Sequence, residues 1–311
     1  MRLAVLGALV ALAVAGSEVR DSRAAFTSSA KNPSNTFSTA ADWVAPAVTL
    51  AAPADGSFTN DTTPTFSGAA GNATGDATTV TVRIYSGTTV AGPLVQTLNA
   101  TRSGATWTVT PTTALAAGAT YTARAAQSDT GANTGSSTTS TFTVDTIAPT
   151  PAMISAANST AGNPGRLNAG DTITYRFSEA IAPASVLSTF TGGSTTANVR
   201  VRFTNAGTGG AADTFTVLDS AGAANVKLDT SVATNANLVT STTVTWPATM
   251  TQSSDGTTFT IVLGTAPSGL ASVTNTAKNM VWTAKAGPTD RAGNALSISG
   301  TIAETDSDVD F

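Results

Sequence analysis

The stretch Thr79-Val80-Thr81-Val82-Arg83-Ile84 puts apolar side chains at 80, 82 and 84 and polar ones at 79, 81 and 83. A repeat of two is the period of an extended chain, because successive Cβ atoms point to opposite faces of a sheet. The stretch therefore predicts a strand that buries Val80, Val82 and Ile84 and wets Thr79, Thr81 and Arg83. The same grammar recurs around it. Thr106-Trp107-Thr108-Val109-Thr110 turns Trp107 and Val109 inward, and shorter runs occur at Val48–Leu50, Thr63–Ser67, Leu94–Leu98, Tyr121–Ala125 and Thr141–Val144. Clusters of Gly, Asn and Asp separate these runs, and none has the 3.6-residue period of a long amphipathic helix.

About seven short strands over residues 46–145 is the number an immunoglobulin-like antiparallel sandwich needs. After a junction at 146–151 the pattern resumes over residues 152–311 with longer loops. Ile173, Tyr175 and Phe177 alternate with Thr172, Thr174 and Arg176, Val199, Val201 and Phe203 alternate with arginines, and Phe259, Ile261 and Leu263 alternate with threonines. Ser253-Ser254-Asp255-Gly256 between the runs through Trp246 and Phe259 is a hairpin signal. The loop-rich stretch from Gly192 to Asn237 is expected to hold insertions. The expected fold class is all-β, with two tandem immunoglobulin-like antiparallel β-sandwich domains after a signal peptide.

Only 11% of the 311 residues are charged, so solubility rests on hydroxyls and backbone. The net charge is −4 and the 15 basic residues are scattered, which argues against nucleic acid as a partner because phosphate binding needs a local basic patch. Cysteine and histidine are absent, which removes disulfides, thiol nucleophiles, imidazole acid–base chemistry and the usual zinc ligands. Any bound metal should be a hard cation such as calcium, held by oxygen.

The chain opens with Met1-Arg2, an apolar run from Leu3 to Ala15, and Ala13-Val14-Ala15 before Gly16. That reads as a signal peptide over residues 1–15, its core too short for a membrane-spanning helix, followed by a polar segment over 16–45. No second run of spanning length follows, so no membrane span is expected in the mature chain. Export followed by release or non-covalent retention is the expectation. The stretch from Ala25-Phe26-Thr27 through Asn35-Thr36-Phe37-Ser38-Thr39-Ala40 resembles the export region of camelysin-like secreted matrix proteins. That likeness implies a secreted, matrix-forming protein, with cleavage at Ala15 or further downstream.

Pro53-Ala54-Asp55-Gly56, Thr63-Pro64-Thr65-Phe66-Ser67-Gly68, Asp129-Thr130-Gly131-Ala132-Asn133 and Phe142-Thr143-Val144-Asp145, in that order, resemble the bacterial Ig-like repeats of large adhesins and surface proteins. The resemblance implies a stalk or spacer module, sometimes a ligand-binding one. In place of the family's Asp-x-Ala-Gly-Asn turn stands Asp129-Thr130-Gly131-Ala132-Asn133. The stretch from Gly170 through Phe177-Ser178-Glu179 to Ile181, with Thr289-Asp290-Arg291-Ala292-Gly293-Asn294 as a closing turn, resembles a second type of bacterial Ig-like domain found in cell-envelope proteins.

Asp145-Thr146-Ile147-Ala148-Pro149-Thr150-Pro151 is a junction stiffened by two prolines. In Ig-like repeats that end this way, the resemblance implies calcium held by Asp145 together with Asp129 and Asn133 of the preceding loop. The plainer alternative is that Asp129 and Asn133 form an Asx-type turn and Asp145 ends a strand.

No Gly-x-Ser-x-Gly elbow occurs, and the carboxylates sit mostly in turns, so a hydrolase is the least favoured reading. The expected function is a secreted or cell-surface structural or adhesive protein, not an enzyme. Its expected partners are the cell envelope, a matrix component or further copies of itself. The rival reading is a carbohydrate-binding surface module. Trp43 and Trp282 are candidate sugar platforms for it, while Trp107 and Trp246 occupy core-facing phases.

Overall fold

The computed structural model describes residues 43–160, 165–190, 195–207, 212–224, 226–268, 278–305 and 309. The signal peptide, the export-region likeness and nearly all of the 16–45 segment lie outside them. The chain divides into a unit over 1–43, of which only the exposed Trp43 is described, and a compact unit over 44–311. Strands dominate the second unit, which holds two separate hydrophobic cores.

The first core is enclosed by eight strands: β1 (Ser57–Thr59), β2 (Phe66–Ala69), β3 (Asp76–Ser86), β4 (Leu94–Thr101), β5 (Thr106–Val109), β6 (Ala119–Asp129), β7 (Thr134–Ser136) and β8 (Ser140–Val144). One sheet runs β1-β8-β6-β3-β4, with β7 extending β6, and β2 pairs with β5 in a second layer. Val80, Val82 and Ile84 are fully buried, as their alternation requires. Trp107 fills the opposite layer and donates its indole N–H to the carbonyls of Thr49 and Ala69 at 3.2 and 2.9 Å. Tyr121 is buried at the start of β6 and its hydroxyl donates back to the Ala116 carbonyl at 3.1 Å, the tyrosine corner of immunoglobulin-like sandwiches. β1 lies parallel to β8, a pairing that three residues of alternation do not announce.

Nine strands surround the second core: β9 (Pro151–Ala157), β10 (Thr172–Phe177), β11 (Thr196–Thr204), β12 (Thr214–Asp219), β13 (Asp229–Ala233), β14 (Thr243–Gln252), β15 (Thr258–Leu263), β16 (Val281–Ala284) and β17 (Ile302–Ala303). All pair antiparallel in the order β17-β16-β13-β12-β11-β14-β15-β10-β9. The hairpin read at Asp255-Gly256 joins β14 to β15, with Gly256 at φ +78°. Among the described residues, one short helix, α1 (Pro183–Val186), follows β10.

The loop-rich reading of Gly192–Asn237 is corrected in part by this order. Beside β11, which carries the alternation read at Val199, Val201 and Phe203, its described residues supply two further paired strands, β12 and β13. Val217, Leu228 and Val232 are buried there and drive the pairing. The sheet curls until its ends meet. Glu304, just beyond β17, accepts from the Ala156 N–H of β9 through Oε1 and from the Met280 N–H through Oε2, both at 3.1 Å.

Candidate metal centre

The junction forms where β8 ends and the second core begins. Asp145 N–H donates to the Thr59 carbonyl, which ties the end of β8 to β1, and Asp145 Oδ1 accepts from Ile147 N–H at 3.0 Å. The connector is then pinned to the second body. Thr150 and Ser178 exchange two hydrogen bonds of 2.9 Å, and Ser297 N–H donates to the Pro149 carbonyl. Arg291 lies over the Phe58 ring at 5.9 Å, a further link between the bodies.

Asp145, Glu179 and Asp290 converge here, with one carboxylate oxygen from each within 4.8 Å of the others. Three segments distant in sequence supply them: the end of β8, the residues after β10 and the closing turn of the second body. Burial, and then the negative charges of Asp145 and Asp290, hold the Glu179 carboxyl above its usual range. Glu179 Oε1 is buried and has no hydrogen-bond partner among the described residues. An orphaned oxygen on one of three converging carboxylates suits a hard cation, and three anionic oxygen donors are the chemistry calcium takes. Asp145, Glu179 and Asp290 are the residues that would hold it, and a divalent charge there would offset their mutual repulsion.

The placement departs from the sequence expectation in two of its three residues. Asp129 ends β6 at the pole opposite Asp145: β6 pairs with β8 through Ala119 opposite Val144. Ten residues of extended strand separate the two positions by roughly 30 Å. Asp129 and Asn133 instead bond to each other, Asn133 N–H to Oδ1 and Nδ2–H to Oδ2, both at 2.8 Å. Hydrogen bonds from Asn133 hold the Asp129 carboxyl below its usual range.

The matching turn of the second body reaches the junction. Asn294 bonds to Asp290 in the same two ways, at 2.8 and 2.7 Å. Ala132 and Gly293 occupy equivalent places in the two turns, at φ +65° and +92°. The shared spacing of an Asp and an Asn four residues apart at 129–133 and 290–294 was the signal that could have nominated Asp290. Nothing local distinguishes Glu179, which meets its neighbours only through tertiary folding.

The sugar-platform candidates separate. Trp282 is fully buried, edge-on to Tyr175 at 5.1 Å and to Phe177 at 5.4 Å, so it belongs to the core. Its indole N–H donates to the Leu228 carbonyl. Trp107 and Trp246 are core residues as read, and Trp43 is exposed.

These features define a class: a nearly all-β protein of sandwich-like sheets with a carboxylate cluster where two cores join. Residues 46–146, about a third of the chain, match the family model of the bacterial Ig-like domain. No curated protein matches the chain. Among solved structures, the fibronectin(III)-like modules of Clostridium thermocellum CbhA are similar at 11% identity, with 70% of this chain and 94% of that chain covered and a TM-score of 0.26. Among the described residues, no helix is long and apolar enough to cross a membrane.

Proposed function

We propose that the chain is a secreted or cell-surface structural or adhesive protein, non-enzymatic, whose two β-bodies form a spacer stiffened by calcium at their junction. The observation that carries this reading is the convergence of Asp145, Glu179 and Asp290 with one orphaned carboxylate oxygen. A stalk needs its modules held at a constant angle, and a cation shared by residues of both bodies would add to the stiffness that the two prolines of the junction supply. The Ig-like match over the first body supports the structural class.

Thermal unfolding in calcium and in chelator tests it. Binding at about 100 times the dissociation constant adds about 2.7 kcal/mol, which raises the midpoint by roughly 4–5 °C for a chain of this size. Glu179→Gln is expected to abolish most of that rise while leaving the midpoint in chelator unchanged or higher, since it relieves a repulsion. A wild-type midpoint indifferent to calcium would remove the metal from the reading.

A further inference from the structure

The outer face of the first sheet carries a second cluster of charge, of opposite sign and remote in role from the junction. β3 and β6 pair so that Arg83 stands directly opposite Arg124, with Thr81 opposite Ala126 beside them. Both arginines are exposed. Like charges at opposed positions on one sheet face repel and destabilise the pair, and the common remedy is an acidic neighbour. On the β4 side the partners are Thr97 opposite Arg83 and Asn99 opposite Thr81, neither of them acidic. Neither guanidinium has a hydrogen bond or ion pair among the described residues. The chain carries 19 Asp and Glu against 15 Lys and Arg, so acids were in supply and are absent from this place.

Two adjoining grooves of about 430 and 120 Å³ run along this face, and both are lined by Thr81, Arg83 and Ala126. The larger falls within the size range of ligand sites, and it continues over Ser128 and Thr134. The smaller adds Arg124, Ser136 and Tyr85. Guanidinium forks match carboxylate and phosphate oxygens, hydroxyls exchange hydrogen bonds with sugar hydroxyls, and a tyrosine ring offers an apolar face to a pyranose. An open, elongated trough suits a polymer better than a compact metabolite.

We propose that this groove binds an anionic glycopolymer: Arg83 and Arg124 take its carboxylate or phosphate groups, and the threonine and serine hydroxyls beside them take its sugar or polyol hydroxyls. Such polymers are the material of matrices and envelopes, so the site would give a spacer its point of attachment. The site stands on the sheet face alone and does not depend on calcium at the junction.

Calorimetric titration of the full chain in chelator, at low salt, tests the assignment with four probes: alginate oligomers, a poly(glycerol phosphate), neutral dextran and a single-stranded oligonucleotide. The expected result is binding of at least one anionic glycopolymer and not of dextran, with the tighter of the two identifying the charged group. Affinity should fall about tenfold or more in Arg83→Gln and in Arg124→Gln, the cost of one lost charge-assisted contact. It should also weaken as salt rises. Thermal scans of both variants should show midpoints equal to or above wild type, because each substitution removes a repulsion. Absence of binding to both glycopolymers, or binding that survives the double substitution, overturns the proposal. Oligonucleotide binding as tight as the glycopolymers would replace it with a general polyanion surface.

Discussion

Asn294 of the second body donates its side-chain N–H to the backbone carbonyl of Asp145, the last residue before the connector, at 2.8 Å. The same amide also donates to Asp290 Oδ2, so one side chain closes its own turn and grips the neighbouring body. Asn294→Ala is expected to cost about 1–3 kcal/mol, the range for leaving a partly buried polar partner unmade. It should also broaden the distribution of inter-body angles in small-angle X-ray scattering. Asn133→Ala opens the corresponding turn at the far pole of the first body and should lower the midpoint without that broadening. Identical scattering from both variants would count against a junction role for Asn294.

Asp229 makes the second core sensitive to pH. Its carboxylate accepts from the Tyr175 hydroxyl at 2.6 Å, the Thr216 hydroxyl at 2.7 Å and the Val217 N–H at 3.3 Å. Burial nonetheless outweighs these bonds and the nearby Lys285 charge, and raises its pKa from 3.8 to about 6. Between those two values the folded state binds more protons than the unfolded chain, so this group's contribution to stability falls as pH rises from about 4 to about 6 and is level above. The span is worth ~3 kcal/mol. Asp229→Asn should flatten that limb in chemical unfolding followed across pH. Tyr175→Phe, which removes a donor to the carboxylate, should move its upper end to higher pH.

Glu304 closes the curled sheet by accepting two backbone N–H groups with its two oxygens. Glu304→Gln keeps the shape but turns one acceptor into a donor, so one of Ala156 N–H and Met280 N–H loses its partner. The expected cost is about 1–3 kcal/mol. Hydrogen exchange should show faster amide exchange at residue 156 or 280, with the first body unchanged. Equal protection in the variant would mean that closure rests on packing alone.

Ala132 holds a left-handed conformation at φ +65°, where the second body places Gly293. A side-chain-bearing residue there costs roughly 1–2 kcal/mol, partly offset by the greater unfolded-state entropy of glycine. Ala132→Gly is therefore expected to stabilise the first body by about 0.5 kcal/mol or more, read as a raised urea midpoint with an unchanged slope.

Much of the fold was legible because burial in a half-wet sheet imposes a period of two that survives in the sequence. Val80, Val82 and Ile84 in β3, and Phe259, Ile261 and Leu263 in β15, are buried at the phases their alternation dictates. The pattern failed where that signal is short or mixed. β1 and β7 span three residues each, too few to alternate visibly, and β12 and β13 sit in a stretch whose glycines and small polar residues read as loop. Trp282 reads as a candidate sugar platform because its neighbours resemble a loop border, yet it is part of β16 and lies against Tyr175 and Phe177.

The candidate site divides along the same line. The resemblance to Ig-like repeats named Asp145, and local chemistry the Asx-type turn of Asp129 and Asn133, because a carboxylate accepting its own downstream N–H is a short-range event. Which turn meets Asp145 depends on strand direction. An antiparallel strand carries Asp129 to the pole away from β8's end, so the partners come from the next body, as Glu179 and Asp290. The arginine pair shows the same dependence: 83 and 124 are 41 positions apart, and only the register of β3 against β6 sets them face to face. By itself, the sequence determined the all-β class, the faces of the long strands and the oxygen-only chemistry open to the chain, since these follow from composition and local period. The tertiary structure alone decided which charges converge, because strand order and register bring together residues whose own neighbourhoods carry no trace of one another.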